Sequence, residues 1–334
     1  MTSAPPTTTD TPRPRLLSTY LWLATVPLVW GFNFVCLKIL YGQFAFTVTG
    51  LLTVRYVLMV PLLAGLLLLT HKQWRIRREH WRYLGIFAFF TVGIYQYLFA
   101  KAIELTSAGE AALLISSAPI FTFLITTALG WEKGSRRGLA GVGLGFTGIA
   151  LVIFGGDDSA NIPETHVIGD LVMIAAAILW AAYAIFSKPL LRHYSPLQVT
   201  AWAHILGAIV IIPVGFLTPS LVTVGGWQLP FVKLGLEPLA TVDWLHLSLL
   251  GWVCVLYFAW LAGVYGFVVW YRGVRVLGSS KTMIFQYLVP PVALVVGYLV
   301  LGEAPSLLQA LGVIITLAGV NIASLSRAGA GTKK

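Results

Sequence analysis

The chain has 334 residues, of which 58% are hydrophobic and only 10% charged. A soluble domain carries about a quarter charged residues, so this composition excludes one and indicates an integral membrane protein. The formal net charge of +10 then reports orientation and contact with anionic lipid, not nucleic acid.

Residues 1–16, MTSAPPTTTDTPRPRL, are rich in Pro and Thr and are expected to be a disordered cytoplasmic N-terminus. The apolar run that follows carries Trp30, Asn33 and Lys38 without a small-residue cleavage site. It reads as a retained first helix and not as a signal peptide. A bilayer core about 30 Å thick needs about 20 helical residues. That rule places helices near 17–40, 47–70, 81–103, 109–131, 136–155, 167–188, 197–217, 245–271, 279–301 and 306–325. The runs are continuously apolar, whereas barrel strands are about 10 residues long and alternate. The expected fold is therefore an all-α integral membrane protein with ten transmembrane helices.

The chain also repeats itself. Residues 101–148 and 272–319 align without a gap, with Lys101 on Arg272, Pro119 on Pro290, Glu132 on Glu303, Gly141 on Gly312 and Gly148 on Gly319. Further upstream Trp30 falls on Trp180 and Lys38 on Lys188. Five helices is an odd number, so the second copy enters the membrane from the opposite side, as in many alternating-access transporters. The expected organisation is two inverted five-helix repeats, 17–155 and 167–325, joined by an outer linker at 156–166 and ending in a cytoplasmic tail at 326–334. An insert at 218–244, with Pro219, Gly225, Gly226, Pro230 and Pro238, lengthens the second copy. It reads either as a lid or as a passive surface loop.

Basic residues fix an expected orientation. One set of connections holds Arg13, Arg15, Lys72, Arg75, Arg77, Arg78, Lys133, Arg136, Arg192, Arg275, Arg327 and Lys334 among others, and the opposite set holds Lys233 alone. The positive-inside rule puts both termini in the cytoplasm. Cys36 and Cys254 lie in apolar runs without metal-like spacing and read as small buried hydrophobes. No cofactor or metal site is called for.

The pattern WGFNFVCLK at 30–38, Arg55 in the second helix, SAGEAALLISSAPIFTFL at 107–124, and Glu132 followed by glycines resemble the EamA-type branch of the drug/metabolite transporter superfamily. The second copy repeats the pattern more loosely with Trp180, Lys188, Pro290, Glu303, Gly312 and Gly319. The resemblance implies a central cavity lined mainly by helices three, four, eight and nine, with one, two, six and seven rocking around it. It also implies export of amino acids or related metabolites across a bacterial inner membrane.

Several residues are candidates for the solute path. Trp30 and Asn33 share a helical face, as do Trp180 and Tyr183; they serve either a lined pathway or helix packing. Pro119 and Pro290 sit near mid-membrane, where a proline removes a donor and kinks the helix. They are candidate cavity-shaping hinges. Ser116, Ser117, Gln286 and Tyr287 lie just before them and offer hydrogen bonds to a zwitterion or glue helices together. Tyr257, Trp260, Phe267 and Tyr271 at helical spacing suggest an aromatic wall, with Tyr271 an interface anchor. Across from them, Ile86, Phe89, Gln96 and Ala100 would be the partly polar wall.

Arg55 is deep enough to face the interior, either holding a solute carboxylate or anchored to carbonyls. Lys38 and Lys101 lie within snorkelling reach of the surface. Glu132 and Glu303 suit the starts of helices five and ten. No acidic residue falls at mid-membrane, so a carboxylate proton relay is not expected. His204 is the one deep group able to titrate near neutrality, as a proton site or a packed histidine.

The expected function is a metabolite exporter, amino acids with aromatic or apolar side chains favoured, working as a facilitator or exchanger. The expected partners are a small-molecule solute and the lipid bilayer. A phosphorylated-solute antiporter would need more deep cations than Arg55. A lipid-modifying membrane enzyme would need converging carboxylates or histidines, and the acidic pair Asp157–Asp158 has no such company.

Overall fold

The computed structural model describes residues 16–70, 74–130, 136–155, 164–221 and 247–328. Expectations for the termini, for Glu132, for the 156–163 linker and for 222–244 of the insert lie outside these residues. The helices are α1 (Leu16–Phe44), α2 (Val48–Thr70), α3 (Arg78–Leu105), α4 (Ala108–Ala128), α5 (Arg136–Phe154) and α6 (Glu164–His193). They continue with α7 (Pro196–Leu221), α8 (Leu249–Leu277), α9 (Lys281–Leu301) and α10 (Leu307–Ala328). α1 to α9 include nine segments long and apolar enough to span a bilayer, and no strand occurs among the described residues. Observed ends differ from expected ones by a few residues, chiefly because α1 and α6 run longer than the hydrocarbon core requires.

Contacts between the two halves come in symmetric pairs. α1 packs on α8 and α9, while its counterpart α6 packs on α3 and α4. α2 lies on α7 and α5 on α10, each helix against its own counterpart. The last pair runs antiparallel: Gly155 approaches Leu308, Gly148 approaches Thr316 and Gly145 approaches Gly319. Counterparts that run antiparallel are what an inverted duplication requires.

Glycine makes the α5–α10 seam possible. A Cβ on Gly148 would stand 2.7 Å from the Gly312 carbonyl oxygen, and one on Gly319 would stand 2.6 Å from that of Gly141. Lipid supplies no hydrophobic drive between helices, so close backbone approach over small residues carries the packing. Outward-facing residues such as Leu69, Leu249 and Leu299 are exposed and apolar, as a lipid-facing surface should be.

Two irregularities recur at matching places in both repeats. Phe89–Ile94 in α3 and Tyr257–Tyr265 in α8 are π-helical. α4 breaks at Ser116–Ser117, and α9 tightens into a 3₁₀ turn at Phe285–Leu288. Each break falls just before its proline, so Pro119 and Pro290 open a new helical segment rather than bend a continuous one. A proline costs little in a first helical turn, where its missing donor has no partner to lose.

Candidate functional site

The two pairs of irregularities surround a cavity at the seam of the repeats. It is lined by Trp30, Asn33 and Phe34 of α1, Arg55 of α2, Tyr95, Gln96 and Phe99 of α3, and Trp180 of α6. Ile115 of α4, Ala262 and Phe267 of α8, and Gln286 and Val289 of α9 close it. α1 supplies three of these side chains, so the helices expected to rock contribute to the wall as well. The void itself is only about 40 Å³, far below the few hundred Å³ of a ligand pocket. The aromatic walls have closed on one another in this conformation.

The walls hold together by ring contacts. Trp30 and Trp180, counterparts in the two repeats, meet edge-on at 5.5 Å. Tyr95 stacks on Trp180 at 5.3 Å, and Trp270 lies 5.1 Å from Trp30. Trp30 donates from Nε1 to the Ala262 carbonyl at 3.2 Å, inside the π-helical segment of α8. A π turn leaves carbonyls off the regular ladder and is common at functional sites. Trp180 donates to Oε1 of Gln286 at 2.7 Å.

Arg55 is the charged member. It is 3% exposed and donates from Nη1 to Oε1 of Gln96 at 2.7 Å. Its guanidinium carbon lies 4.1 Å from the ring centre of Phe258. Its Nε has no partner, and no carboxylate among the described residues is within ion-pair distance. This bond goes to a side-chain amide oxygen and not to a backbone carbonyl. Asn33, also buried in the lining, leaves its Oδ1 unpartnered.

The structure disperses other candidates. Ser116 Oγ lies 2.8 Å from the Ala112 carbonyl oxygen and 3.3 Å from that of Gln286, sharing one hydrogen between them, and Ser117 donates to the Leu114 carbonyl at 2.6 Å. These hydroxyls serve the broken backbone of α4. Tyr287 donates to the Val320 carbonyl at 3.3 Å, toward α10. Tyr183 lies behind Trp180, stacked at 4.9 Å. His204 is fully buried, with Nδ1 2.8 Å from the Thr200 carbonyl oxygen and its ring 5.0 Å from Phe267. Tyr271, expected as an interface anchor, is fully buried against Tyr183.

The expected aromatic stripe of α8 is divided. Trp260 is 40% exposed and donates to the Leu58 carbonyl at 3.2 Å, while Tyr257 donates to the Val29 carbonyl at 3.0 Å. Seven residues bring Trp260 and Phe267 to one face of a regular helix, but the π turn between them rotates that face away. The same happens in α3, where Phe89 is 48% exposed and Gln96 is buried. Tyr95, Phe99, Phe34 and Trp270 were missed because the regular α-helical period was applied across a π segment and Phe34 falls beside, not on, the Trp30–Asn33 face.

A second polar cluster lies at the end of the bundle where α4 and α6 begin. Glu303 accepts from the backbone N–H of Ala108 at 2.8 Å, so it caps α4 and not its own α10 as expected. Lys38, partly exposed, donates to the Thr106 carbonyl at 2.9 Å, and Lys101 pairs with Glu104. Glu110, His166 and Asp170 come together, a carboxylate oxygen or ring nitrogen of each lying within 4.8 Å of the others. His166 and Asp170 stand one turn apart on α6, whereas Glu110 comes from α4 of the other repeat, more than fifty residues earlier in the chain.

The family model for the EamA-like transporter family matches residues 17–154 and 167–325. An uncharacterized transporter of Archaeoglobus fulgidus is 29% identical over 90% of this chain and 96% of its own length. A probable terminal-alkyne amino-acid exporter of Streptantibioticus cattleyicolor is 31% identical over 64% of this chain and 63% of its own. A probable amino-acid metabolite efflux pump of Salmonella typhimurium is 26% identical over 89% and 91%.

Proposed function

Since the chain belongs to the EamA-like transporter family, we propose that it exports small carboxylate-bearing metabolites, foremost amino acids with flat or apolar side chains. One observation carries the solute class: the buried Arg55 guanidinium has no carboxylate partner among the described residues. A cation held out of water without a counter-ion is costly, and a solute carboxylate would supply the missing charge. Gln96 and Asn33 would take its other polar atoms, and the tryptophan walls would take its side chain. Two of the relatives are described as a probable amino-acid exporter and a probable amino-acid metabolite efflux pump, which supports the same reading.

The mechanism follows from the collapsed void. No amino acid fits about 40 Å³, so binding requires α1 and α6 to separate from the α3–α4 and α8–α9 pairs. Symmetric packing lets that separation occur from either side in turn. Both termini then face the cytoplasm of a bacterial inner membrane. The lining holds no carboxylate, so the solute's own gradient, or exchange for another solute, drives net movement. Competition by unlabelled amino acids, nucleobases and phosphorylated sugars against uptake into proteoliposomes tests the class. Amino acids should compete; competition by phosphorylated sugars alone would make the chain an antiporter of that kind.

A further inference from the structure

The cluster at the start of α4 and α6 holds one hydrogen too few for two ionised carboxylates. The Thr106 hydroxyl lies 2.6 Å from Oδ1 of Asp170 and 2.9 Å from Oε2 of Glu110. It has one hydrogen to give, so one of these two contacts takes its hydrogen from a carboxyl group. Glu110 is well supplied with donors: the Ser107 hydroxyl at 2.9 Å, His166 Nε2 at 2.7 Å, and the Gln309 amide on its other oxygen. Asp170 has no such supply. It is fully buried, Thr106 is the partner of Oδ1, and Oδ2 has none. A bare ionised oxygen in that position is far costlier than a bare carbonyl oxygen.

We propose that Asp170 is a proton-binding site, with the carboxyl hydrogen donated to Thr106 and the Thr106 hydrogen donated on to Glu110. The chain of bonds crosses the seam of the repeats, from α6 in the second to the α3–α4 turn and α4 in the first. Gly169 packs against Leu105 at the same place, where an added Cβ would stand 2.7 Å from the Leu105 Cβ. The other charged groups facing the cluster are Lys38 from α1, Glu303 ahead of α10, the Lys101–Glu104 pair of α3 and His166 on α6 itself. Loss of the proton places two carboxylates on one hydroxyl across a closed seam. In the orientation proposed above, this is the outer end, so the proton holds the outer side shut and its departure favours outward opening. A cavity of about 240 Å³ beside Glu110 and His166 gives water a way in.

The proton is tested without any solute; the gating rests on the transport reading. Infrared spectra of the purified full chain should show the carbonyl stretch of a protonated carboxyl group, lost in Asp170→Asn and lost on titration to alkaline pH. Spin labels at the exposed positions Ile168 and Leu308, with Cys36 and Cys254 replaced, should move apart as pH rises in the wild type and stay fixed in Asp170→Asn. Should that variant fail to fold, Thr106→Val should shift the pH at which the band disappears. A band that persists in Asp170→Asn overturns the proposal, as does a label distance indifferent to pH. Cobalt absorbance that needs His166 would also overturn it, by assigning the cluster to a metal ion. If band and distances respond but no amino acid is carried, the proton site stands and the transport reading falls.

Discussion

Arg55 holds Nη1 2.7 Å from Oε1 of Gln96, the one side-chain hydrogen bond of the buried guanidinium among the described residues. Replacing even a buried ion pair by apolar side chains of similar volume is often neutral or stabilising, and a cation with no counter-charge has less Coulomb attraction to lose. Arg55→Met should therefore keep or raise the melting temperature while transport of carboxylate solutes falls. A hydrogen bond to a charged group is worth about 1.5–3 kcal/mol, which is roughly 10- to 100-fold in apparent affinity. Thermal unfolding and uptake measured on one preparation check both halves; a large fall in stability would mean the side chain is a structural anchor after all.

Trp180 and Trp260 should differ. Trp180 is buried in the cavity wall and donates to Gln286, while Trp260 is 40% exposed. Trp180→Ala should weaken uptake of flat solutes at least tenfold, and Trp260→Ala should leave it within about twofold, since surface substitutions usually change little. Uptake kinetics of the two variants decide this.

Gln286→Leu leaves the Trp180 N–H without its acceptor. An unsatisfied buried donor costs about 1–3 kcal/mol. The variant should melt several degrees lower, and the double variant with Trp180→Phe should recover part of the loss. A double-mutant cycle of melting temperatures measures the coupling.

The α5–α10 seam should tolerate no bulk. Gly148→Val places side-chain atoms against the Gly312 carbonyl and Thr316, whereas a Cβ at Gly143 meets nothing within 4 Å. Gly148→Val should abolish recovery of a monodisperse protein in detergent, and Gly143→Ala should not. Size-exclusion profiles of the two separate them.

Much of this was legible in the residues. Long apolar runs gave the helices, and the gapless match of 101–148 with 272–319 gave the duplication. Arg55 stood out by its depth and by the family pattern, and Trp30 and Trp180, matched in the two repeats, both line the cavity. What failed was the step from period to face. The π segments in α3 and α8 turn Trp260 and Phe89 outward, and no composition signal announces an inserted turn. The Glu110–His166–Asp170 cluster was hidden for another reason: its members belong to different repeats, and only the folding of α6 onto α4 joins them.

In the proposed cycle Arg55 receives the carboxylate of the solute at the seam of two inverted repeats. Inhibition of labelled amino-acid uptake into proteoliposomes, by an unlabelled amino acid and by its carboxamide, tests this in wild type and in Arg55→Gln. The wild type should prefer the acid at least tenfold, and Arg55→Gln should lose the preference while remaining folded. Equal inhibition by acid and amide in the wild type, or an unchanged preference in Arg55→Gln, would contradict it.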